Sequence, residues 1–458
     1  MIPELSVVKR VHMVGIGGSG MSGIAEILHN LGFEITGSDI NEGENVRRLR
    51  ALGIPITLGH RPENVSSAQV VVVSSAIGRD NVEVMAAQRR GIPVIPRAEV
   101  LAQLMRMKYS VAVAGTHGKT TTTSMIGLIL SRAGLDPTVV VGGIPFHIGA
   151  TAKMGRGKFL VAEADESDGS FLRLYPSAEV ITNIEEDHLD YYPNLEAIKR
   201  AFLQFIGNLP FFGFVVINRD DPATKEIEPL IERYRVSYSL KEESDFRAEF
   251  LGRKESYTLF RLKGTVFKLK VAGIHNVYNA AAAVALTFTL GVPMEEIRRA
   301  LEEFQGVRRR LDFRGKAGER EVYEDYAHHP TEIRTVMETL RQLHPSRRLV
   351  VVFQPHRYTR LARMNEKFAL TLSGADRVVI TEVYPAGEKP IEGVNGELLF
   401  RTLKRIKGEV FFCPRLEELP ALLREITAPG DVVALLGAGS ITKYVDKIKE
   451  ALNEGKDS

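Results

Sequence analysis

The chain has 458 residues, which is too long for one ordinary hydrophobic core, so two or three domains are expected. Its 44% hydrophobic and 26% charged residues are typical of a globular protein, and a net charge of +3 indicates neither a nucleic-acid partner nor a membrane surface. The one cysteine, Cys413, excludes an intramolecular disulfide and a cysteine-rich metal site, and we expect it in a buried strand. We also expect a cytoplasmic protein, because no apolar run reaches transmembrane length and no signal-peptide pattern is present.

The first hundred residues alternate strand-like and helix-like segments. The β-branched runs are RVHMVGI, EITGSDI, VVVVSSAI and IPVIPRA. Between the first two, MSGIAEILHNLG carries apolar residues at helical spacing and ends at Gly32. This alternation predicts a parallel, doubly wound sheet of the Rossmann-like type.

A glycine-rich turn follows the first predicted strand. The stretch VGIGGSGMSG fits G-x-G-x-x-G with Gly15, Gly17 and Gly20. Backbone amides at the start of the next helix favour a diphosphate, and a dinucleotide is the commonest ligand of such a turn. Asp39 closes the second strand, where it either holds a ribose or caps a turn. The motif therefore predicts a diphosphate without identifying the molecule that carries it.

A second α/β pattern opens at YSVAVAGTHGKTTTT. A strand ends at Gly115, and Lys119 and Thr120 begin a helix. A lysine in this place meets β- and γ-phosphates, and the hydroxyl that follows can ligate Mg²⁺. The turn is shorter than a full Walker A motif, whose first glycine would fall at Val113. Further along, residues 246–273 alternate polar and apolar residues, which predicts β-hairpins.

Acidic residues follow the next strand-like run, in FLVAEADESDGSF. Glu163 ends the strand and is our first choice of Mg²⁺ ligand, because carboxyl ends of parallel strands carry the ligands of α/β sheets. Just beyond it lie Asp165, Glu166 and Asp168, and a solvated acidic loop is the alternative interpretation. The following strand leads into NIEEDH, where His188 is a further candidate metal ligand.

The segment GIHNVYNAAAA places His275, Asn276 and Asn279 at the start of a helix. The two amides either recognise an adenine edge or cap the helix, and their spacing does not decide between these roles. The polar, glycine-rich stretch GVRRRLDFRGKAG then indicates a linker.

The last segment restarts the α/β alternation. Polar residues follow two of its predicted strands, namely Asp325, His328 and His329 after one, and His356, Arg357 and Arg360 after the other. Because arginine forks match carboxylates and phosphates, we interpret Arg357 and Arg360 as ligand-binding residues and assign Arg363 to a helix surface.

Together these motifs resemble the Mur ligases, the ATP-dependent amide-forming enzymes of bacterial peptidoglycan assembly, over nearly the whole chain. The family's ordered markers are a G-T-x-G-K-T loop, a strand-end glutamate, N-x-x-x-D-H, H-N-x-x-N, an arginine that closes the central domain, and a final α/β domain. In this chain they correspond to Gly115–Thr120, Glu163, Asn183–His188, His275–Asn279, Arg310 and the third α/β segment.

The resemblance implies an α/β protein of three domains. Residues 1–107 would form a Rossmann-like domain for the UDP-sugar, residues 108–314 a P-loop ATPase-type domain with added β-hairpins, and residues 315–458 a Rossmann-like domain for the amino acid. The implied substrates are UDP-N-acetylmuramate, L-alanine and ATP, with Mg²⁺ or Mn²⁺ and without NAD. The sugar's lactyl carboxylate would attack the γ-phosphate, and alanine's amine would displace phosphate from the resulting acyl phosphate.

Site residues are assigned by their match to the family's motifs. Predicted catalytic residues are Lys119, His188, Arg310, His328, Arg357 and Arg360. Predicted ATP-binding residues are Gly115, Thr116, His117, Gly118, Lys119, Thr120, Thr121, His275, Asn276, Asn279, Arg310 and Asp325. Predicted UDP-sugar residues are Gly15, Gly17, Gly18, Ser19, Gly20, Asp39, Ser74 and Ser75, with Ser22 as an added donor. Predicted metal ligands are Thr120, Glu163 and His188.

Several alternatives stay open at this point. A dehydrogenase would explain only the first motif, and a nucleotide-gated regulatory module would not need a lysine, a hydroxyl, a carboxylate and an imidazole together. A ligase of the same family that attaches an intact murein tripeptide is the nearest alternative. The carbamylated lysine of several Mur ligases aligns with Leu203, so none is assigned, and Lys199 is a weak alternative. We expect no nucleic-acid or membrane partner, a monomer or weak homodimer, and domain closure around the substrates.

Overall fold

A computed structural model describes residues 7–74, 76–189 and 191–453. The chain divides into two compact units, one of residues 1–271 and 276–305 and the other of residues 272–275 and 306–458. The architecture is α/β with three sheets, two in the first unit and one in the second, among the described residues. In that part of the chain, no helix has both the length and the apolar character needed to cross a membrane.

The first sheet is parallel throughout, with strand order β3-β2-β1-β4-β5. Its strands are β1 (Arg10–Val14), β2 (Glu34–Asp39), β3 (Ile56–Leu58), β4 (Val70–Val73) and β5 (Val94–Pro96). Its helices are α1 (Ser19–Asn30), α2 (Glu44–Ala51), α3 (Val82–Arg89) and α4 (Arg97–Arg106). The predicted doubly wound sheet is confirmed, and the order places β1, which precedes the glycine turn, at its centre.

The second sheet has strand order β15-β14-β13-β12-β11-β10-β6-β9-β7-β8. Its strands are β6 (Tyr109–Ala114), β7 (Thr138–Val140), β8 (Ala152–Lys153), β9 (Phe159–Glu163), β10 (Ala178–Ile181), β11 (Phe214–Asn218), β12 (Tyr234–Ser239), β13 (Phe246–Lys254), β14 (Tyr257–Leu262) and β15 (Thr265–Leu269). Its helices are α5 (Lys119–Arg132), α6 (Leu195–Gly207), α7 (Pro222–Ile227), α8 (Ile274–Thr289) and α9 (Met294–Glu303). The central strands β9, β6, β10 and β11 run parallel, so their carboxyl ends share one edge.

The predicted hairpin segment is also confirmed. Strands β13, β14 and β15 pair antiparallel, and their alternation of polar and apolar residues is typical of such strands. Phe260 and Phe267 face each other across β14 and β15, are fully buried and stack with ring centroids 4.8 Å apart.

The third sheet has strand order β16-β17-β21-β18-β19-β20. Its described strands pair in parallel, except that β16 and β17 pair antiparallel. Its strands are β16 (Asp312–Ala317), β17 (Arg320–Asp325), β18 (Leu349–Phe353), β19 (Arg377–Thr381), β20 (Val410–Cys413) and β21 (Val432–Leu436). Its helices are α10 (Pro330–Leu343), α11 (Tyr358–Leu372), α12 (Gly396–Ile406), α13 (Leu419–Ile426) and α14 (Val445–Asn453). Short 3₁₀ turns lie at Pro62–Val65, Ser170–Arg173, Glu228–Leu230, Leu416–Glu418 and Ser440–Tyr444.

The linker prediction for GVRRRLDFRGKAG is wrong in its second half. Residues Asp312–Ala317 form β16, which pairs antiparallel with β17. Polar side chains are tolerated there because β16 is an edge strand, and Arg314 pairs with the buried Glu324 on β17.

Cys413 lies at the end of β20 and is buried, as predicted. Burial and, to a smaller extent, the nearby carboxylates of Glu418 and Glu417 raise the pKa of its thiol to about 11, so the thiol stays protonated.

Candidate active site

The amino-terminal glycine turn, residues Gly15–Gly20, is held at the carboxyl edge of the first sheet. The N–H groups of Gly15 and Ile16 donate to the carbonyl of Ser38 on β2 at 2.9 and 3.0 Å. Gly15 has φ of +73°, a conformation that favours glycine. Helix α1 follows, with Gly18 as its N-cap, no side-chain cap and no acidic residue in its first turn. Its first amides are therefore available to an anion.

Asp39 caps this turn. Its carboxylate accepts hydrogen bonds from the N–H of Gly17 at 2.9 Å and from the N–H of Asn41 at 3.1 Å. A Cβ on Gly17 would lie 2.9 Å from an Asp39 oxygen and 2.7 Å from a methyl group of Val46, so glycine is required by the close approach. Asp39 was expected either to hold a ribose or to cap a turn, and these hydrogen bonds show it capping the turn.

The serines near the turn have different surroundings. Ser19 is exposed at the start of α1, and Ser74 lies beside Gly15 after β4. The expectation for Ser22 is wrong, because its side chain is buried against Thr151, with the two hydroxyl oxygens 3.2 Å apart. Ser75, which was also predicted to bind the UDP-sugar, lies outside the described residues.

The central glycine loop, residues Gly115–Thr120, joins β6 to α5. The N–H of His117 donates to the side-chain carbonyl of Asn183 at 2.9 Å, and the amide of Asn183 donates back to the carbonyl of His117 at 3.0 Å. Gly118 has φ of +84° and is the N-cap of α5, again without a capping side chain. Like α1, helix α5 therefore begins with free amides at the carboxyl edge of a parallel sheet.

Lys119 points back into this loop. Its Nζ donates to the carbonyls of Gly115 at 2.6 Å and Thr116 at 3.2 Å, and to Glu166 Oε1 at 2.9 Å. Burial lowers the pKa of Lys119, but the carboxylates around it, chiefly Glu166, outweigh burial and hold the pKa above its ordinary value. The lysine is therefore a fixed cation in the loop.

Hard oxygen ligands lie on the other side of α5. Thr120 Oγ1 donates to Glu163 Oε2 at 2.9 Å, and the N–H of Gly142 donates to the same oxygen at 2.8 Å. Hydroxyl and carboxylate oxygens are ligands that Mg²⁺ prefers, and these two lie side by side, so the pair fits a metal site.

His188 completes the cluster. Its Nε2 lies 3.5 Å from Glu166 Oε1 and 3.6 Å from Asp187 Oδ2, and its φ of +52° is a strained conformation for histidine. Burial lowers the pKa of His188, but the hydrogen bond with Glu166 and the charge of Asp187 outweigh it and raise the pKa. The structure thus gathers the loop lysine, the strand-end glutamate and His188 at one sheet edge.

Asn279 reaches the central glycine loop from α8. A Cβ on Gly118 would lie 2.4 Å from Asn279 Oδ1, and Thr122 Oγ1 donates to that oxygen at 3.3 Å. The side-chain amide of Asn279 also donates to Asn276 Oδ1 at 3.2 Å. The asparagines therefore support the loop, and their recognition of adenine stays a prediction.

The second unit carries its own polar cluster, at the carboxyl ends of β17 and β18. His328 and His356 pack edge to face with ring centroids 5.6 Å apart, and Arg360 Nη1 lies 3.3 Å from His356 Nδ1. Arg357 has φ of +68° at the N-cap of α11 and lies 3.9 Å from Glu388. These predicted residues are therefore brought together by the third sheet.

Three further predicted residues lie in the same unit. Asp325 accepts hydrogen bonds from the N–H groups of Leu311 at 2.6 Å and Ala327 at 2.7 Å, and burial raises its pKa to about 6 against the opposing charge of Arg310. Burial and, to a smaller extent, the charge of Arg310 lower the pKa of His275 to about 4, so this imidazole is neutral at pH 7.

Two glutamates of the clusters were not assigned from sequence. Glu166, buried to 2% exposure, pairs with both Lys119 and His188. Glu332 lies 3.8 Å from Arg310 and accepts the backbone N–H of His328 at 2.9 Å. For Glu332 the sequence holds a signal, the H-x-x-E spacing of a capping box at the start of α10, which the structure shows with His329 as N-cap.

Lys199, the weak alternative for a carbamylated lysine, is paired with two carboxylates. Its Nζ donates to Glu196 at 2.8 Å and also contacts Glu226, and these hydrogen bonds raise the pKa of the amine. In this structure the two carboxylates therefore favour the ammonium form of the amine.

Comparisons with known proteins cover the whole of this architecture. Three family models match the chain. The model described as "Mur ligase family, catalytic domain" matches residues 10–109, "Mur ligase middle domain" matches residues 113–287, and "Mur ligase, glutamate ligase domain" matches residues 309–439. The UDP-N-acetylmuramate–L-alanine ligase of Aquifex aeolicus (strain VF5) is 47% identical over 454 residues, which cover 97% of this chain and 98% of that protein.

Two crystal structures are similar to the chain over nearly its full length. The UDP-N-acetylmuramate–alanine ligase of Thermotoga maritima has a TM-score of 0.84 at 33% identity and covers 98% of this chain and 100% of its own. A murein peptide ligase of Psychrobacter arcticus 273-4 has a TM-score of 0.75 at 23% identity, covering 97% and 99%, and at that identity it supports the fold alone.

Proposed function

The chain belongs to the Mur ligase family, and we propose that it joins L-alanine to the lactyl carboxylate of UDP-N-acetylmuramate with cleavage of ATP to ADP and phosphate. The product would be UDP-N-acetylmuramoyl-L-alanine, a precursor of peptidoglycan made in the cytoplasm. The convergence of Lys119, Thr120 and Glu163 at one sheet edge carries this proposal. Relatives named as L-alanine ligases, 46–48% identical over at least 94% of the chain, favour alanine over a tripeptide.

In the proposed reaction, a lactyl carboxylate oxygen attacks the γ-phosphorus of ATP and ADP leaves, giving an acyl phosphate. The amine of alanine then attacks the acyl carbon, phosphate leaves with the electron pair of the C–O bond, and the amine loses a proton. Both steps need charge neutralisation more than covalent help. We assign Lys119 and Arg310 to the β- and γ-phosphates, because a fixed cation offsets the charge of a phosphoryl group in transfer.

We assign the metal site to Thr120, Glu163 and His188. A bound Mg²⁺ or Mn²⁺ ion would supply charge neutralisation and orientation of the phosphate oxygens. Glu163 is already positioned for this by its hydrogen bonds from Thr120 and Gly142. His188 would have to exchange its contacts with Glu166 and Asp187 for the ion.

We assign the remaining residues by their match to the motifs of the family. His328, Arg357 and Arg360 would contact the acyl phosphate and alanine, Asp325, His275, Asn276 and Asn279 the ATP, and the amino-terminal glycine turn the UDP diphosphate. The division into residues 1–107, 108–314 and 315–458 stays our proposal for these three roles.

Phosphate release with each component omitted in turn tests the proposal. We expect continuous release only with UDP-N-acetylmuramate, ATP, Mg²⁺ and L-alanine together. Turnover without UDP-N-acetylmuramate, or none with the complete mixture, would contradict the ligase reaction.

A further inference from the structure

A cavity of about 540 Å³ adjoins the amino-terminal glycine turn. It lies between the first sheet and the acidic loop after β9, and its walls include Ser74, Arg79, Arg97, Asp168, Arg173 and Tyr191. The volume is in the range of small-molecule sites. Three arginines against one aspartate among these residues give the cavity a positive balance, which suits an anionic ligand.

Arg97 occupies a defined place in this cavity. It is the first residue of α4 and directly follows β5, whose neighbour β4 ends just before Ser74. Val73 of β4 lies opposite Pro96 of β5 in the parallel register. Because β1 runs beside β4, Arg97 and the glycine turn leave the sheet at the same edge.

The guanidinium of Arg97 lies against the first turn of α1. A Cβ built on Gly20 would fall 2.5 Å from Arg97 Nη1 and 2.9 Å from Cζ, so the arginine fills the space that any other residue's side chain would need. Gly20 is inside the helix and is not among the glycines with positive φ. The third glycine of the motif is therefore needed for this approach, and not for a special backbone conformation.

The donors of Arg97 are little used by the protein. Its one ion pair, with Asp165, is long at 3.8 Å, and no hydrogen-bond acceptor for its guanidinium is found within residues 7–74, 76–189 and 191–453. By contrast, Arg348 makes a two-pronged pair with Asp431 at 2.9 and 2.7 Å. The Arg97 side chain is 18% exposed, so its fork of N–H donors is open to a ligand in the cavity.

We propose that Arg97 is a further substrate-binding residue, which donates hydrogen bonds to the diphosphate of the UDP-sugar. This inference rests on the proposed function, because the diphosphate is the anion expected at the first turn of α1. A planar guanidinium matches two phosphate oxygens at once, while the amides of α1 approach from the helix terminus. Asp165 is then the partner that Arg97 gives up when the diphosphate binds.

Calorimetric titration of the full-length protein with UDP tests this assignment. Arg97→Met keeps much of the apolar stem and removes the donors, and we expect it to raise the Kd for UDP at least about 30-fold. The Kd for UDP-N-acetylmuramate should rise by the same factor, because both ligands carry the diphosphate. Arg106→Met is the matched control at the other end of α4, where Arg106 lies over the ring of Tyr175, and its Kd should not change.

A second variant tests the seat on α1 independently. Gly20→Ala keeps the arginine at position 97, but the new Cβ would displace its guanidinium from the first turn of α1. Alanine itself is well tolerated in a helix. We expect a rise of about 5-fold in the Kd for UDP, and the double variant should bind no more weakly than Arg97→Met alone. Thermal unfolding of each variant checks folding, and if Arg97→Met does not fold, Gly20→Ala decides.

Three results would overturn the assignment. The first is an unchanged Kd for UDP in Arg97→Met. The second is weaker binding by Arg97→Met of UDP-N-acetylmuramate alone, which would place the guanidinium on the sugar's carboxylate. The third is an unchanged Kd for UDP in Gly20→Ala. If the wild-type protein neither binds UDP-N-acetylmuramate nor releases phosphate, the proposed function fails instead, so the two failures are distinguishable.

Discussion

The amino-terminal glycine turn and the central glycine loop share one backbone design. Each joins the carboxyl end of a parallel strand to a helix that begins at a glycine, Gly18 in one and Gly118 in the other, without a capping side chain. Their surroundings differ, because at the central glycine loop Lys119 pairs with Glu166 and the hydroxyl of Thr120 pairs with Glu163. The same backbone thus provides an anion seat in both places, and the side chains decide which one supports phosphoryl transfer.

The two segments also differ in how they are supported. Behind the amino-terminal glycine turn, the buried carboxylate of Glu83 accepts the hydroxyl of Ser38 at 2.5 Å and lies 3.6 Å from His12. Ser38 in turn accepts two amides of the turn through its carbonyl. The central glycine loop is held by the side chains of Asn183 and Asn279 instead.

The largest effect should come from removing the cation of the central glycine loop. We expect Lys119→Ala to lower kcat at least about 10³-fold, because the phosphoryl charge loses its fixed counterion. Binding of UDP-N-acetylmuramate, measured by calorimetry, should stay within about 2-fold of the wild type. The control Lys225→Ala removes a surface lysine paired with Glu242 and should be fully active. An equal loss of turnover and UDP-sugar binding would contradict the separation of the two roles.

The next effect concerns the metal requirement. Glu163→Gln keeps the shape of the side chain but removes its negative charge. The Mg²⁺ concentration for half-maximal activity should therefore rise at least about 10-fold, with UDP binding unaffected. A Mg²⁺ titration of phosphate release measures this shift, and an unchanged half-point would remove Glu163 from the metal site.

A smaller effect is expected at the amino-terminal glycine turn. In Gly17→Ala the new Cβ would meet Val46 and Asp39 at less than 3 Å, so the turn must open. We expect the KM for UDP-N-acetylmuramate to rise about 10-fold and the KM for ATP to stay constant. The matched control is Gly43→Ala at the start of α2, whose Cβ would have no neighbour within 4 Å. Equal effects at both glycines, or a rise in the KM for ATP, would argue against a separate diphosphate seat.

The smallest effect is a pH dependence of stability in the support of this turn. Burial raises the pKa of Glu83, but hydrogen bonds from His12, Ser38 and Asn64 outweigh it and lower the pKa to about 2, against 4.5 when unfolded. A depressed folded-state pKa stabilises the protein above pH 4.5, and this stability is lost as the pH falls toward 2.

Glu83→Gln should therefore lower the free energy of unfolding by up to about 3 kcal/mol at pH 7 and by much less at pH 3. Urea unfolding of both proteins at the two pH values provides the comparison. An equal difference at pH 7 and pH 3 would mean that the carboxylate's charge does not stabilise the fold.

The sequence predicted those features of the fold and site that depend on residues close together in the chain. The glycine turns, the strand that ends at Glu163 and the hairpins of β13–β15 follow from local spacing, and the order of motifs indicated the family. The pairing of Glu166 with Lys119 was not predictable, because it joins residues 47 positions apart, and neither was the approach of Arg97 to Gly20. Strand β16 was misread because an edge strand needs few apolar residues.

The central claim is tested most directly by the mass of the product formed from a panel of amino acids with UDP-N-acetylmuramate and ATP. We predict that L-alanine gives UDP-N-acetylmuramoyl-L-alanine at the highest rate, with one ADP and one phosphate for each product. Preference for an intact murein tripeptide would make the chain a recycling ligase, and an absence of any amide product would contradict the account.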